Sequence, residues 1–275
     1  MNAPVLPICI AHSVGDHGTN NRLDVRTVQI LLLMNRQRFS SPHACTVDGH
    51  VTKSLNDLIG DFQTQIVKVS TPTRLVQPSS ATLLALAAGA PAGLTKEKLH
   101  LIVPDATLVN VNKYYQAIVN GMRASQINTP IRIAHFLAQI GHESADLKYS
   151  EEVASGSAYE GRASLGNTKP GDGVRFKGRG LIQLTGRVNY TAYGTAKGQD
   201  FVSGVNPLKI AHDPNLAVDV SCWFWTQKGL NALADIDDVR GITKRVNGGF
   251  NGLALRTARL NRAKYWMGFT QGVTI

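Results

Sequence analysis

Three glutamates close together carry the most specific chemistry in this 275-residue chain. In NTPIRIAHFLAQIGHES, Glu143 follows Ile140 by three positions and Phe136 by seven, so at helical spacing it continues an apolar stripe and emerges where the helix runs out. A carboxylate there is partly desolvated, and desolvation penalises the ionised form, which suits a group that must hold and donate a proton near neutrality. Glu151 and Glu152 are the neighbouring carboxylates that could act as its partner. One acid that protonates a leaving oxygen and one base that activates water, roughly 6.5–9.5 Å apart, is the requirement for cleaving a glycosidic bond with inversion. Residue types alone do not choose between Glu151 and Glu152, and the same acids in isolation would more often be a solvated helix end.

Placing such a pair imposes conditions on the elements around it. On an unbroken helix, at roughly 100° per residue, Glu152 would point about 180° away from Glu143, so the helix must end between them. Asp146, Tyr149 and Ser150, followed by SGSAYEGRASLGNTKPGDG, supply the break and leave Glu152 on a loop facing a cleft. Upstream, Thr129 and Pro130 suit the N-cap and first helical position, with Ile133, Phe136, Leu137 and Ile140 on the buried face. In GRGLIQLTGRVNY, Ile182 and Leu184 alternate with Gln183 and Thr185, which predicts a short strand projecting an amide and a hydroxyl together. DDVRGITKRVNGGFNG reads as a helix stopped at Asn247-Gly248-Gly249, so Asn247 is either a helix cap or a carboxamide brought to the same cleft.

No metal or cofactor is expected. The H-E dipeptide at His142 and Glu143 would need a histidine at position 146 to make a zinc protease motif, and Asp146 stands there. Cys9, Cys45 and Cys222 are scattered, without C-x-x-C spacing, which fits neither a zinc site nor a disulfide framework and points to synthesis in a reducing compartment.

The net charge of +10 predicts a polyanionic partner: nucleic acid, an anionic membrane, or a bacterial envelope rich in carboxylates and phosphates. No basic run, zinc-finger spacing or RNA-binding motif accompanies it, so nucleic acid is the weakest of these. Residues 95–275 hold 22 Lys and Arg against 14 Asp and Glu, which assigns +8 of the charge to the larger C-terminal part. The start, Met1 to Ala11, lacks a basic region and carries Pro4 and Pro7, unlike a cleavable secretion signal. The longest apolar stretch, Ala81 to Leu94, is too short to span a bilayer.

The length suits two domains. Asp24 is the expected N-cap of a first helix burying Val25, Val28, Leu31 and Leu32; Asp48-Gly49 forms a turn; Thr52 caps a second helix burying Leu55, Leu58, Ile59 and Phe62. Residues 1–68 are therefore expected as a small helical domain, 69–94 as a linker holding at most one short helical piece, and 95–275 as the main domain. At the C-terminal end, Arg256, Arg259, Arg262 and Lys264 fall in and around an amphipathic helix. Their expected reading is a solvated face, with contact to anionic lipid as the second.

Two resemblances add to this. DVRTVQILL followed by VDGHVTKSLNDLIGDFQ resembles the peptidoglycan-binding domains of cell-wall hydrolases, departing from them at Val51-Thr52, where a Gly-containing turn is common. HES at 142–144, the Glu151-Glu152 pair, GRGLIQLTGRVNY at 178–190, AVDVSCWFW at 217–225 and RVNGG at 245–249 resemble the lysozyme-like family 19 glycoside hydrolases, which include plant chitinases and phage endolysins. The long YEGRASLGNTKPGDGVRFKGRG segment looks like the endolysin branch.

The second resemblance implies a mainly α-helical, lysozyme-like catalytic domain with two lobes flanking a cleft and a small β-hairpin, joined to the N-terminal helical bundle. It implies Glu143 as general acid and Glu152 as the base. Gln183, Thr185, Asn189 and Asn247 fall on its water-placing and sugar-binding positions, while His142 either orients the acid or is only packed. The expectation is a monomeric muramidase-type endolysin without cofactor, acting on peptidoglycan strands and held in the host cytoplasm until another protein opens the membrane. A chitinase and a non-catalytic wall-binding protein are the alternatives. The wall-binding-like N-terminal part, the basic catalytic part and the missing secretion signal favour peptidoglycan over chitin.

Overall fold

A computed structural model describes residues 8–269. The start expected not to be a secretion signal falls mostly in residues 1–7, and the last residues of the basic tail in 270–275; both lie outside the described residues. Thirteen α-helices and one two-stranded sheet are present among the described residues, so the expected mainly helical class holds. The described residues divide into two compact units, residues 105–263 and residues 8–104 with 264–269.

In the N-terminal unit, β1 (Val14–Gly15) pairs antiparallel with β2 (Leu75–Val76), Val14 opposite Val76. Helix α1 spans Arg22–Met34 and α2 spans Lys53–Phe62. The expected apolar faces of both are buried, at 0–1% exposure from Val25 to Phe62, and the Thr52 hydroxyl accepts from the Leu55 N–H as the second helix needs. Asp24 is not the cap of α1. Asn21 occupies that position, and the buried Asp24 carboxylate instead accepts from the Ala11 and His12 N–H groups, tying down the strand that enters the unit. Gln29 of α1 clamps the Val47-Asp48-Gly49 turn: its amide donates to Asp48 Oδ1 and the His50 carbonyl, and its oxygen accepts from the Asp48 and Gly49 N–H groups. The V-Q and V-D-G patterns are thus one hydrogen-bonded assembly.

Residues 69–94 do not form a linker. They supply β2 and helix α3 (Ala81–Ala88), whose Leu83 and Leu86 are fully buried, and Asn35 donates to the Leu86 carbonyl. The unit also runs past residue 95, because α4 (Lys96–Ile102) packs on α1 and Arg26 donates to the Pro104 carbonyl at 3.1 Å. The low charge and Ala/Ser/Pro content of 69–94 reflect a short buried helix between turns rather than free chain.

The second unit is assembled on α5 (Leu108–Ala124), α6 (Pro130–Glu143) and α10 (Pro214–Gln227). Helices α5 and α10 approach closely because Gly121 leaves room: a Cβ there would stand 2.9 Å from Cys222 Sγ. Phe136 of α6 meets Trp225 of α10 edge to face at 5.4 Å. Between them in the chain lie α7 (Asp172–Arg175), α8 (Arg187–Lys197) and α9 (Lys209–His212); α11 (Leu230–Asp235), α12 (Val239–Asn247) and α13 (Leu253–Trp266) complete the series. Phe176, Tyr190, Tyr193, Phe201, Ile210 and Val220 form a separate aromatic-rich core beneath the 178–190 segment. No helix among the described residues is long and apolar enough to cross a membrane.

Candidate active site

Helix α6 begins as its sequence requires, with the Thr129 hydroxyl accepting from the Arg132 N–H and Pro130 in the first turn, and it ends at Glu143. Ala145, Asp146 and Leu147 then take left-handed backbone angles, φ 49°, 56° and 63°. Three such residues in succession are costly and are held in place by surrounding bonds. The Ser144 hydroxyl donates to the Ile140 carbonyl and accepts from the Leu147 N–H, and the buried Asp146 carboxylate accepts from Arg259 Nε at 2.9 Å and the Asp105 N–H at 3.3 Å. The break required between Glu143 and Glu152 thus starts immediately after the acid.

Glu143 keeps 19% of its side-chain surface exposed, and its Oε1 accepts from Arg256 of α13. Arg256 is itself buried and also donates to the Gln139 side-chain oxygen, one turn earlier on α6. Arg259 pairs with Asp146 in the same way, so two arginines three residues apart on α13 meet two acids three residues apart at the end of α6. The expected solvated face therefore does not hold for three of the four basic residues. Arg256, Arg259 and Arg262 are turned inward, Arg256 and Arg262 at 2% exposure, while Lys264 is half-buried.

His142 is packed against the loop after α12: a Cβ at Gly252, whose φ is +73°, would stand 2.5 Å from its Nε2. Burial and the nearby Arg256 and Arg259 guanidiniums push its pKa down to about 4, so the ring is neutral at physiological pH. No contact between the imidazole and the Glu143 carboxylate is needed for this role, which is one of packing.

The segment carrying the second carboxylate is held by bridges, and no hairpin with regular strands forms beside the cleft. Glu151 bridges Arg179, and Arg179 bridges Leu184. The expected strand at Ile182–Thr185 is a turn: the Gln183 N–H bonds the Gly180 carbonyl and Gln183 has φ +56°. Leu181, Ile182 and Leu184 are all buried, so alternation was the wrong description, although Gln183 and Thr185 still face the cavity together.

The two adjacent glutamates are separated by their partners. Glu151 is bound by Arg179, whose Nη2 is 2.9 Å away and which is only 3% exposed, and by Lys177 at 3.4 Å. Glu152 carries no ion pair among the described residues: its Oε1 accepts from the Tyr159 hydroxyl at 2.9 Å and its Oε2 from the Gly178 N–H at 3.0 Å. Burial and the facing carboxylate raise the Tyr159 phenol above its usual value, so it remains a donor. Glu151 is a structural anchor, and Glu152 is the carboxylate positioned by neutral donors beside the cleft.

One cavity of about 370 Å³ brings together five of the six expected site residues, and Glu152 is not in its lining. Its lining includes Glu143, Gln183, Thr185, Asn189 and Asn247, together with Tyr159, to which Glu152 is bonded. Asn247 is the last residue of α12, followed by left-handed Gly248, so it both ends a helix and reaches the cavity. Asn189 donates to the Thr185 carbonyl, and Thr185 Oγ1 to the Gln183 carbonyl, which fixes the polar wall. Tyr159, Arg162 and Arg256 were not singled out as site residues from sequence. The first two sit in the quoted YEGR run, and Arg256 could have been found by asking which cations must neutralise acids at the end of a buried helix.

Comparison with known proteins identifies the family. The family profile described as chitinase class I matches residues 120–234. A Haemophilus influenzae protein described as glycosyl hydrolase family 19 domain-containing is 32% identical over 184 residues, covering 56% of this chain and 88% of that protein. The chain therefore belongs to glycoside hydrolase family 19. An Arabidopsis thaliana endochitinase is 34% identical over 145 residues, 52% of this chain, and the chain spans about half (48%) of that relative's length. Among solved structures, chitinase C from Streptomyces griseus aligns with a TM-score of 0.54 at 22% identity, over 67% of this chain and 81% of that one, and so shares its fold.

Proposed function

We propose that this protein is a muramidase-type hydrolase that cuts β-1,4 glycosidic bonds of bacterial peptidoglycan with inversion, Glu143 acting as acid and Glu152 as base, and that it serves as an endolysin in host-cell lysis. The observation that carries the reading is the pairing of environments: Glu143 lines the cavity at a helix end, and Glu152 is aimed by Tyr159 and Gly178 from the loop beside it. Glu143 gives its proton to the departing glycosidic oxygen, and Arg256 stabilises the anion that remains. Glu152 takes a proton from the attacking water, and Gln183, Thr185, Asn189 and Asn247 supply the polar wall that binds sugar amides and hydroxyls.

Peptidoglycan is favoured as substrate by the positive charge of the C-terminal part and by the N-terminal unit, whose Gln29-clamped V-D-G turn supports a wall-binding role. The chitinase reading is favoured by the names of the plant relatives. Digestion of purified peptidoglycan and of chitin oligomers, with new reducing ends and masses analysed and Glu143→Gln as control, tests the choice. Reducing-end muropeptides from the wild type alone are expected; products from chitin only would make it a chitinase.

A further inference from the structure

The lining of the cleft contains a single basic side chain among the described residues, Arg162. The other cations around the glutamates are committed to acids: Arg256 to Glu143, Arg179 and Lys177 to Glu151, Arg187 to Asp172, Arg259 to Asp146. Arg162 is exposed and has no carboxylate partner among the described residues. Its guanidinium lies over the Tyr159 ring, 5.4 Å from the centroid, on the same tyrosine whose hydroxyl orients Glu152. A planar guanidinium stacked on an aromatic face keeps its charge and donors directed while losing little rotamer freedom on binding.

The backbone carrying Arg162 is fixed as well. The buried Asn167 donates its amide to the Tyr159 carbonyl at 3.0 Å and its N–H to the Arg162 carbonyl at 3.2 Å, and its oxygen accepts from the Arg187 N–H. The charge is therefore displayed at the cavity wall by an ordered loop. A neutral N-acetylglucosamine polymer offers an oriented cation at a sugar-binding cleft only hydroxyl and amide acceptors and no charge to pair with. It gains from a glycan substituted with acids, as peptidoglycan is, through the carboxylates of its stem peptides and, where these are removed, of its lactyl ethers.

We propose that Arg162 is a specificity-determining residue that reads the carboxylates of peptidoglycan strands and so separates this substrate from chitin. The inference rests on the muramidase reading above. It predicts a contribution to substrate binding rather than to the chemical step, and one that is screened by salt.

The test compares wild type, Arg162→Gln and Arg162→Lys on solubilised peptidoglycan strands and on the same strands with their carboxylates amidated by carbodiimide and ammonia. Arg162→Gln is expected to lower kcat/KM on native strands roughly fivefold more than on amidated ones, through KM, as for a partly exposed charge pair. Arg162→Lys should recover part of that difference, and about 0.5 M salt should shrink it, since the Debye length is then well under 8 Å. An equal loss on both substrates, a loss confined to kcat, or no loss at all would overturn the proposal. Failure of the wild type to cut native strands would instead defeat the muramidase reading, and it is seen before any variant is compared.

Discussion

Glu143 and Glu152 are presented by opposite means. Glu143, the proposed acid, stands at the end of a long buried helix and is held by a buried cation from α13, 113 residues further along the chain. Glu152, the proposed base, stands on a loop and is held by two uncharged donors, a phenol seven residues away and a backbone N–H. The first arrangement ties the acid to the core of the unit, so disturbing it disturbs folding. The second is local and separable from stability.

The comparison can be broken most severely at the carboxylates themselves. Glu143→Gln and Glu152→Gln should each lower turnover on wall substrate by roughly 10³-fold, as expected for loss of a positioned acid or base; Glu143→Gln should also lower the thermal midpoint, because buried Arg256 loses its acid, whereas Glu152→Gln should leave it nearly unchanged. Glu151→Gln should do the reverse, keeping most turnover but losing stability, because Arg179 is buried and loses its acid. Equal catalytic loss at positions 151 and 152 would overturn the assignment.

Next in size is the support of the acid. Arg256→Met should cost about 3–5 kcal/mol in denaturant unfolding, as for removal of one partner of a buried pair, and activity should fall with it. The matching change beside the base, Tyr159→Phe, removes one hydrogen bond to Glu152. It should lower kcat about tenfold with little change in KM or unfolding free energy. A large stability loss from Tyr159→Phe would erase the distinction between the two supports.

The smallest effect concerns pH. The folded-state pKa of His142 is about 4, below its ordinary 6.5, so the unfolded chain binds the proton more readily between those values. Its contribution to stability is complete above pH 6.5 and is lost as pH falls towards 4. Thermal midpoints measured across that window should fall less steeply with acidification for His142→Gln than for the wild type.

What was legible in the sequence follows the same division. Helix α6, its Thr129 cap and the emergence of Glu143 came from local periodicity, and so did the Asn247 stop. Those signals are confined to neighbouring residues. Arg256 was hidden because its partner lies far away in the chain, and an arginine on an amphipathic helix reads as solvated until the opposing acid is known. The turn at 180–184 was hidden because Gln183 adopts a positive φ that its residue type does not announce, and burial of Leu181, Ile182 and Leu184 then has no period of two. Residues 69–94 looked like a linker because alanine, serine, threonine and proline make up 15 of the 26 residues, yet Leu83 and Leu86 are enough to seat a short helix once Ser80 caps it.

Glu143 and Glu152 are proposed to cut a glycosidic bond as an acid and a base acting through water. Proton NMR of the first product released from a soluble wall glycan distinguishes this from a covalent route. The new reducing end is expected to appear initially as the α-anomer, from water attacking the face opposite the leaving group; initial release of the β-anomer would mean retention and would rule the acid–base pairing out.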